Sequence, residues 1–231
     1  IFPIVYLIIM GNLSVNQIGD YNYFKLELNS FSIPFTLFCV IFLINSFNYF
    51  DGLDGTLSFA TISVLAILYF LSPDSNLRLF LSTIFLPLLF FLCFNFTIFK
   101  LPKLFLGDSG SLLLGFIIGF ILIYMENQKI AHPILLAWSI SIFVYEFVSV
   151  NLIRLISKKN IFKAGSDHLH HILFKKTNSI FLTNLLIMIK NIIFFTIGYS
   201  SFKLINPLAS FILFFYIFIV FLVIRIRLIK K

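Results

Sequence analysis

Apolar runs long enough to cross a bilayer recur along the whole chain, and they fix the class of structure before any other feature is considered. A membrane-spanning helix needs about 20 apolar residues, with a range of roughly 17–25. Such runs stand at 33–49, 55–72, 78–99, 109–125, 133–156, 181–200 and 207–229, after a partial one at 1–11. The breaks are Pro73-Asp74-Ser75-Asn76, Lys100 to Gly107, Glu126 to His132, the longer segment 157–180, and Lys203 to Asn206. Of the 231 residues 60% are hydrophobic and only 11% charged, against about a quarter charged in soluble domains. A globule of this size cannot hide so much apolar surface within itself, so lipid is the solvent for much of it. The expectation is an all-α polytopic transmembrane helix bundle of about eight membrane segments, the first incomplete, forming one integral-membrane domain over residues 1–231. No soluble domain fits between the segments, and no internal repeat is present.

The net charge of +8 does not point to nucleic acid, because the charges flank apolar segments rather than forming one solvated patch. Alternating the sides of the segments groups 50–54, 100–107, 157–180 and 225–231 together, with Arg154 counted beside its adjoining loop. That side holds Lys100, Lys103, Arg154, Lys158, Lys159, Lys163, Lys175, Lys176, Arg225, Arg227, Lys230 and Lys231. The other holds Lys25, Arg78, Lys129 and Lys203. Twelve against four predicts that the first side faces the cytoplasm in a plasma (inner) membrane, with the C-terminus there too. Asp51, Asp54, Asp108, Asp167, His168, His170 and His171 then fall on that same side, whereas the outer loops carry Asp20, Glu27, Asp74 and Glu126 without a comparable cluster.

Cys39 and Cys93 lie inside apolar runs and read as small buried hydrophobes, not as a disulfide or a metal pair. Ile1 opens within an apolar stretch with no initiator Met or charged flank. This is neither a signal peptide nor a whole first helix, and the expectation is a chain lacking its N-terminal part.

Three polar strings carry the chemistry. The first runs from Asn45 to Gly55 and places Asn48, Asp51 and Asp54 at i, i+3 and i+6, roughly one way on a helical turn. One Asp-Gly pair alone is an ordinary turn. Two carboxylates at a membrane boundary are expensive without a partner, which favours function for the whole string. The second, Phe105 to Ser111, precedes an apolar helix. Asp108 or Ser109 there either caps the helix or stands at an N-terminus suited to phosphate, with Asp108 able to hold Mg²⁺ beside phosphate oxygens. The third is Asp167-His168-Leu169-His170-His171 in the basic segment. Its spacing matches no zinc-site pattern, and the imidazoles are suited to phosphate oxygens or to orienting a nucleophile. Within the apolar runs, Glu146 lies about two turns before Arg154, and Lys190-Asn191 interrupts 181–200. Both are functional candidates by position, with internal pairing the alternative.

Taken together and in order, these strings resemble the polyprenyl-phosphate N-acetylhexosamine-1-phosphate transferases, most clearly over residues 33–175. The family's Asn-x-x-Asn-x-x-Asp-Gly-x-Asp-Gly is matched by Asn45 to Gly55, its Phe-x-Gly-Asp-x-Gly-Ser by Phe105 to Ser111, and its His-x-His-His by His168 to His171. The last string favours the branch that makes lipid carriers for O-antigen, enterobacterial common antigen or teichoic acid over the peptidoglycan branch, which shows three consecutive histidines. Asn95 resembles the Asn preceding the Gly-Asp motif, with a longer spacer.

The resemblance implies transfer of a sugar-1-phosphate from a UDP-sugar to polyprenyl phosphate with release of UMP, using Mg²⁺ or Mn²⁺. By the family's pattern Asp108 is the metal ligand and catalytic, with Asp51, Asp54 and His170. Asn48, Asn95, Phe105, Asp167, His168 and His171 bind substrate, Phe105 by stacking on uracil. The segments 50–54, 100–108 and 157–180 become cytoplasmic catalytic loops. The implied partners are the UDP-sugar, the polyprenyl phosphate and the membrane, and a homodimer is compatible with them. The sequence departs from the family at two places. No Asp-Asp pair of the kind found on an earlier cytoplasmic loop occurs, and Glu146 stands where the family has Asp. The competing classes are a membrane transporter or channel, which would place its charges at mid-membrane, and an inactive family member.

Overall fold

The computed structural model describes residues 2–158, 160, 165 and 167–229. Ile1, Lys159, Lys163, Lys230 and Lys231, which entered the expectations above, lie outside them.

Ten α-helices make up nearly the whole of it: α1 (Phe2–Ile9), α2 (Ser32–Asn48), α3 (Thr56–Leu71), α4 (Ser75–Asn95), α5 (Gly107–Asn127), α6 (Pro133–Ser139), α7 (Ser141–Ile156), α8 (Leu169–Thr177), α9 (Ile180–Leu204) and α10 (Pro207–Ile229). Two short antiparallel strands, β1 (Gln17–Asp20) and β2 (Lys25–Glu27), form a hairpin between α1 and α2. Among the described residues five helices are long and apolar enough to cross a membrane, and a sixth span is the pair α6–α7, bent by 73°. The protein is therefore an all-α multi-pass membrane bundle, with a helix at every expected segment. The shorter α3, 16 residues long, packs inside the bundle, with Ala60, Val64 and Leu68 wholly buried.

The helices meet through small residues as well as large ones. A Cβ on Gly115 of α5 would stand 2.7 Å from Ile44 Cα of α2, so glycine is what lets these backbones touch, the usual device where lipid removes any hydrophobic drive for association. Phe47 of α2 and Phe143 of α7 stack at 4.0 Å beside them.

Three local features differ from the sequence expectation. Residues 133–156 form no continuous span, because the chain breaks at Ile140 without Pro or Gly. Asn191 of α9 supplies the reason. Its Oδ1 accepts from Ile142 N at 3.2 Å, and its Nδ2 donates to Ser139 O at 2.9 Å and to Ser63 Oγ at 2.9 Å. A broken helix survives in apolar surroundings only if the freed backbone groups find partners, and one amide satisfies both ends. The Lys190-Asn191 pair accordingly leaves α9 unbroken. Second, the segment 157–180 is not all loop: Leu169–Thr177 is helical, and Asn178 ends it in the left-handed region at φ +52°. Third, Cys39 and Cys93 are free but only partly buried.

Chain direction alternates so that the bundle has two ends. At one, the Asn127 side-chain amide donates to Ser14 O at 2.8 Å and His132 Nε2 meets Asp20 O at 2.9 Å, joining the chain before the hairpin to α5 and the hairpin to α6. At the other, Asn184 Nδ2 of α9 donates to Asp54 O at 2.7 Å, and Thr56 Oγ1 donates to Asn184 Oδ1 at 2.6 Å.

Candidate active site

The second end carries the three polar strings. Helix α2 stops at Asn48, and the chain makes successive turns through Asp51 and Asp54 before Gly55 leads into α3. The three side chains thus do not share one continuous helix. Asp51 and Asp54 line a cavity of about 330 Å³ together with Gly52, Ser58, Phe91, Asn95, Phe105 and Asp108, while half-buried Asn48 stands outside its wall. The size falls within the range of small-molecule sites.

Asp108 sits in the first turn of α5, exposed. Capping does not explain it, since the N-cap position is Leu106, which offers no side-chain hydrogen bond. Asp51 and Asp108 are near enough for their charges to interact. Burial first, and the Asp108 charge second, push the Asp51 carboxyl above the usual carboxylate range. Two carboxylates crowded at the mouth of a polar cavity hold their charge better with a cation between them.

The loop over this cavity is held by groups that the strings alone did not reveal. Asn95, 4% exposed, donates through Nδ2 to Leu104 O at 2.8 Å, and its Oδ1 is buried without a partner. Ser58 Oγ, in the same wall, is likewise buried and unpaired. Lys103, counted from sequence only as a topology charge, reaches Asp54 Oδ2 at 2.7 Å and lies 5.0 Å from the Phe105 ring centroid. Phe105 itself is 71% exposed, a large aromatic face left open at the rim. The spacing Lys-x-Phe in front of Gly-Asp was the available signal for Lys103, and nothing in the sequence marked Ser58.

The histidine segment packs against the turn that carries the first two carboxylates. His168 is the N-cap residue of α8, and His170 and His171 lie in its first turn. The His168 and His170 rings are parallel, within 2°, at 5.6 Å. His170 is 1% exposed with both ring nitrogens unpartnered. Its ring presses on Gly52, where a Cβ would collide with Nε2, so glycine is required by this close approach. The contact joins the histidine segment to the turn that bears Asp51 and Asp54. Burial above all, then the His171 and His168 charges, bring the His170 pKa down to about 3, and His171 is lowered in the same way. Asp167 is not among the residues lining the cavity and pairs with Arg154, Oδ1 to Nη2 at 2.6 Å and Oδ2 to Nε at 2.9 Å. That hydrogen bonding holds its carboxyl at about 2.

A second hollow of about 360 Å³ lies between α2, α5, α6 and α10. Its lining is almost wholly apolar, with Glu126 its one carboxylate, so it offers no comparable chemistry.

Among the described residues no three His, Cys, Asp or Glu side chains form a ready-made metal cage. The donor set instead suits Mg²⁺, which keeps to one or two carboxylates and takes its remaining oxygens from phosphate and water.

The fold and the site together define a multi-pass membrane protein with paired carboxylates, one buried imidazole and an open aromatic face at one rim. Residues 1–126 match the family described as Glycosyl transferase family 4, and the chain belongs to that family. Over 182 residues it is 30% identical to the undecaprenyl-phosphate alpha-N-acetylglucosaminyl 1-phosphate transferase of Escherichia coli O157:H7, covering 74% of this chain and 48% of that protein. It is 34% identical over 166 residues to the phospho-N-acetylmuramoyl-pentapeptide-transferase of Borrelia duttonii (strain Ly), covering 64% and 45%. The chain thus spans about half the length of these relatives.

Proposed function

We propose that the protein transfers a sugar-1-phosphate from a UDP-sugar to a polyprenyl phosphate, releasing UMP, as an early membrane step in making an envelope polysaccharide. The observation that carries this is one cavity walled jointly by Asp51, Asp54 and Asp108 from two separate stretches, with His170 pressed against Gly52 of the same wall. The relatives named above are phosphotransferases acting on undecaprenyl-phosphate or phospho-N-acetylmuramoyl-pentapeptide, which supports a lipid-linked sugar phosphate as product. An N-acetylated sugar is named in both relatives, and the His-x-His-His string at His168 to His171 favours the branch that makes carriers for O-antigen, enterobacterial common antigen or teichoic acid.

In the reaction an oxygen of the lipid phosphate forms a bond to the β-phosphorus. The bond from that phosphorus to the bridging oxygen breaks, and UMP leaves with the electron pair. Such transfers are accelerated mainly by positioning and charge neutralisation. The open Phe105 face stacks on uracil, and the unpartnered Asn95 Oδ1 accepts from the base. Asp108 and Asp51 are the residues that would hold Mg²⁺, and the bound ion would neutralise the diphosphate charge. Asp54, kept in place by Lys103, orients the same group. His170 is neutral across the physiological range and offers one N–H donor and one acceptor to the diphosphate or sugar. His168 and His171 flank it, and Asn48 lies one turn behind. The site faces the cytoplasm, where nucleotide sugars are made, in keeping with the positive bias of that end.

The test is direct. Full-length gene product in detergent, supplied with UDP-N-acetylglucosamine, undecaprenyl phosphate and Mg²⁺, is expected to release UMP and to stop when EDTA is added. Absence of UMP with every common UDP-N-acetylhexosamine, together with substrate flux into liposomes, would replace this function by transport.

A further inference from the structure

At the site end of the bundle lies a buried ion pair that the reaction above does not use. Arg225, in the last turns of α10, is 2% exposed, and Glu146, in α7, is 1% exposed. Arg225 Nη1 bonds Glu146 Oε2, and Nη2 reaches Glu146 Oε1 at 3.1 Å. Two charges withdrawn this far from water are costly, and their mutual attraction alone often no more than offsets the desolvation. What the pair does with its remaining valences is therefore informative.

Arg225 Nη1 also donates to Ser149 Oγ at 3.1 Å, and Nη2 also bonds the backbone carbonyl of Asp167. Glu146 Oε1 accepts the backbone N–H of Leu169 at 2.9 Å. The same carboxylate lies 3.4 Å from His168 Nδ1. The residues immediately before and after His168 are thus each hydrogen-bonded to one member of the pair. Because Leu169 is the first residue of α8, Glu146 also satisfies one of that helix's free N–H groups, and a carboxylate is the favourable charge there. The sequence separations, 79 between Arg225 and Glu146 and 23 between Glu146 and Leu169, show that three separate parts of the chain are tied at this point.

We infer that Arg225 and Glu146 are positioning residues: together they fix the backbone on both sides of His168, and so hold the His168 ring and, parallel to it, the His170 ring that presses on Gly52 of the carboxylate turn. This rests on the function proposed above for its effect on rate, although the geometric part stands apart from it. Arg225 lies beyond the residues matched by the family, which end at 126, so α10 brings to the site a contact from outside that region. An ion pair serving stability alone would need neither the Asp167 carbonyl nor the Leu169 amide.

The experiment measures the accessibility of individual histidines to diethyl pyrocarbonate by mass spectrometry, in full-length protein in detergent. Two variants are compared with wild type. Arg225→Lys keeps the charge but cannot fork to both acceptors. The double variant Glu146→Gln with Arg225→Met removes both charges at similar volume, a change often neutral for stability. His132, at the opposite end of the bundle, is the internal reference.

In each variant, His168 and His170 should react at least about fivefold faster relative to His132, as expected for a locally opened segment. The rate constant kcat should fall at least about tenfold while KM for both substrates moves less than about twofold. Unchanged labelling of His168 and His170 would overturn the proposal and leave a pair that only stabilises. Faster labelling with unchanged kcat would overturn it as well. Should the double variant fail to fold, Arg225→Lys decides alone. A wild-type protein with no transfer activity would sink the proposed function, and the labelling would still decide the geometry.

Discussion

The two ends of this bundle are built from similar residues and treat them oppositely. At the hairpin end, polar groups are used up by the fold. His132 accepts from Ile134 N at 3.2 Å through Nδ1 and faces Asp20 O through Nε2. Asp74 caps α4 by accepting from Asn76 N and Leu77 N. Glu126, 6% exposed, takes backbone N–H groups of Asn16 and Gln17. At the other end, Ser58 Oγ, Asn95 Oδ1 and both His170 ring nitrogens are buried without partners among the described residues. Apart from Arg78 Nε, the described residues of the hairpin end show no such atoms. A buried unpaired polar atom costs about 1–3 kcal/mol. The function proposed above accounts for this contrast, because a ligand at the second end would satisfy the atoms that the fold leaves unpaired.

Breaking the contrast should be most severe where charge is densest. Asp108→Asn is expected to lower the transfer rate at least about a thousandfold with membrane insertion unchanged, whereas Glu126→Gln should leave the rate within about twofold. Activity of Asp108→Asn near wild type, measured as UMP release, would remove the carboxylate pair from the chemistry. Next comes His170→Ala, for which a loss of at least about tenfold, or roughly 1.4 kcal/mol of barrier, is expected. An unaffected rate would make the histidine a packing residue.

A smaller effect sharpens the comparison through pH. His170, with a pKa of about 3 when folded, titrates near 6.5 in an unfolded chain. Between those values the unfolded state holds one more proton, so stability is lost as pH falls from about 6.5. Asp167, at about 2 when folded, works in the same direction but only below about 3.9. From pH 7 to pH 5 the melting midpoint should therefore drop by at least about 3 °C, and by less than half as much in His170→Gln. A flat profile in wild type would contradict the burial of a neutral imidazole. The smallest effect belongs to the hairpin end: His132→Ala should cost about 1 kcal/mol of stability through the lost cap and leave UMP release unchanged.

Much of this was legible in the sequence, and what was not has a common cause. Helix positions followed from apolar run length, because lipid demands a minimum span whatever the tertiary contacts are. That Asp51, Asp54 and Asp108 share one end of the bundle followed from topology alone, whereas their shared cavity did not. The break at Ile140 was hidden because its determinant, Asn191, lies in another helix. Glu146 was noticed as a charge in an apolar run, yet its partner Arg225 had been counted only for topology, since the pairing spans 79 residues. The i, i+3, i+6 spacing of Asn48, Asp51 and Asp54 predicts roughly one helical face, but turns after Asn48 separate them. Local spacing reveals which chemistry is present, and long-range contacts decide which atoms are left free to perform it.

The central claim, that carboxylates from two distant stretches jointly grip a cation with a nucleotide diphosphate, is tested most directly by electron paramagnetic resonance of Mn²⁺ titrated into the protein with and without UDP. UDP-dependent Mn²⁺ binding is predicted for wild type and for Glu126→Gln, weakened at least about tenfold in both Asp51→Asn and Asp108→Asn. Undiminished UDP-dependent binding in the two aspartate variants, or its loss in Glu126→Gln, would contradict the account.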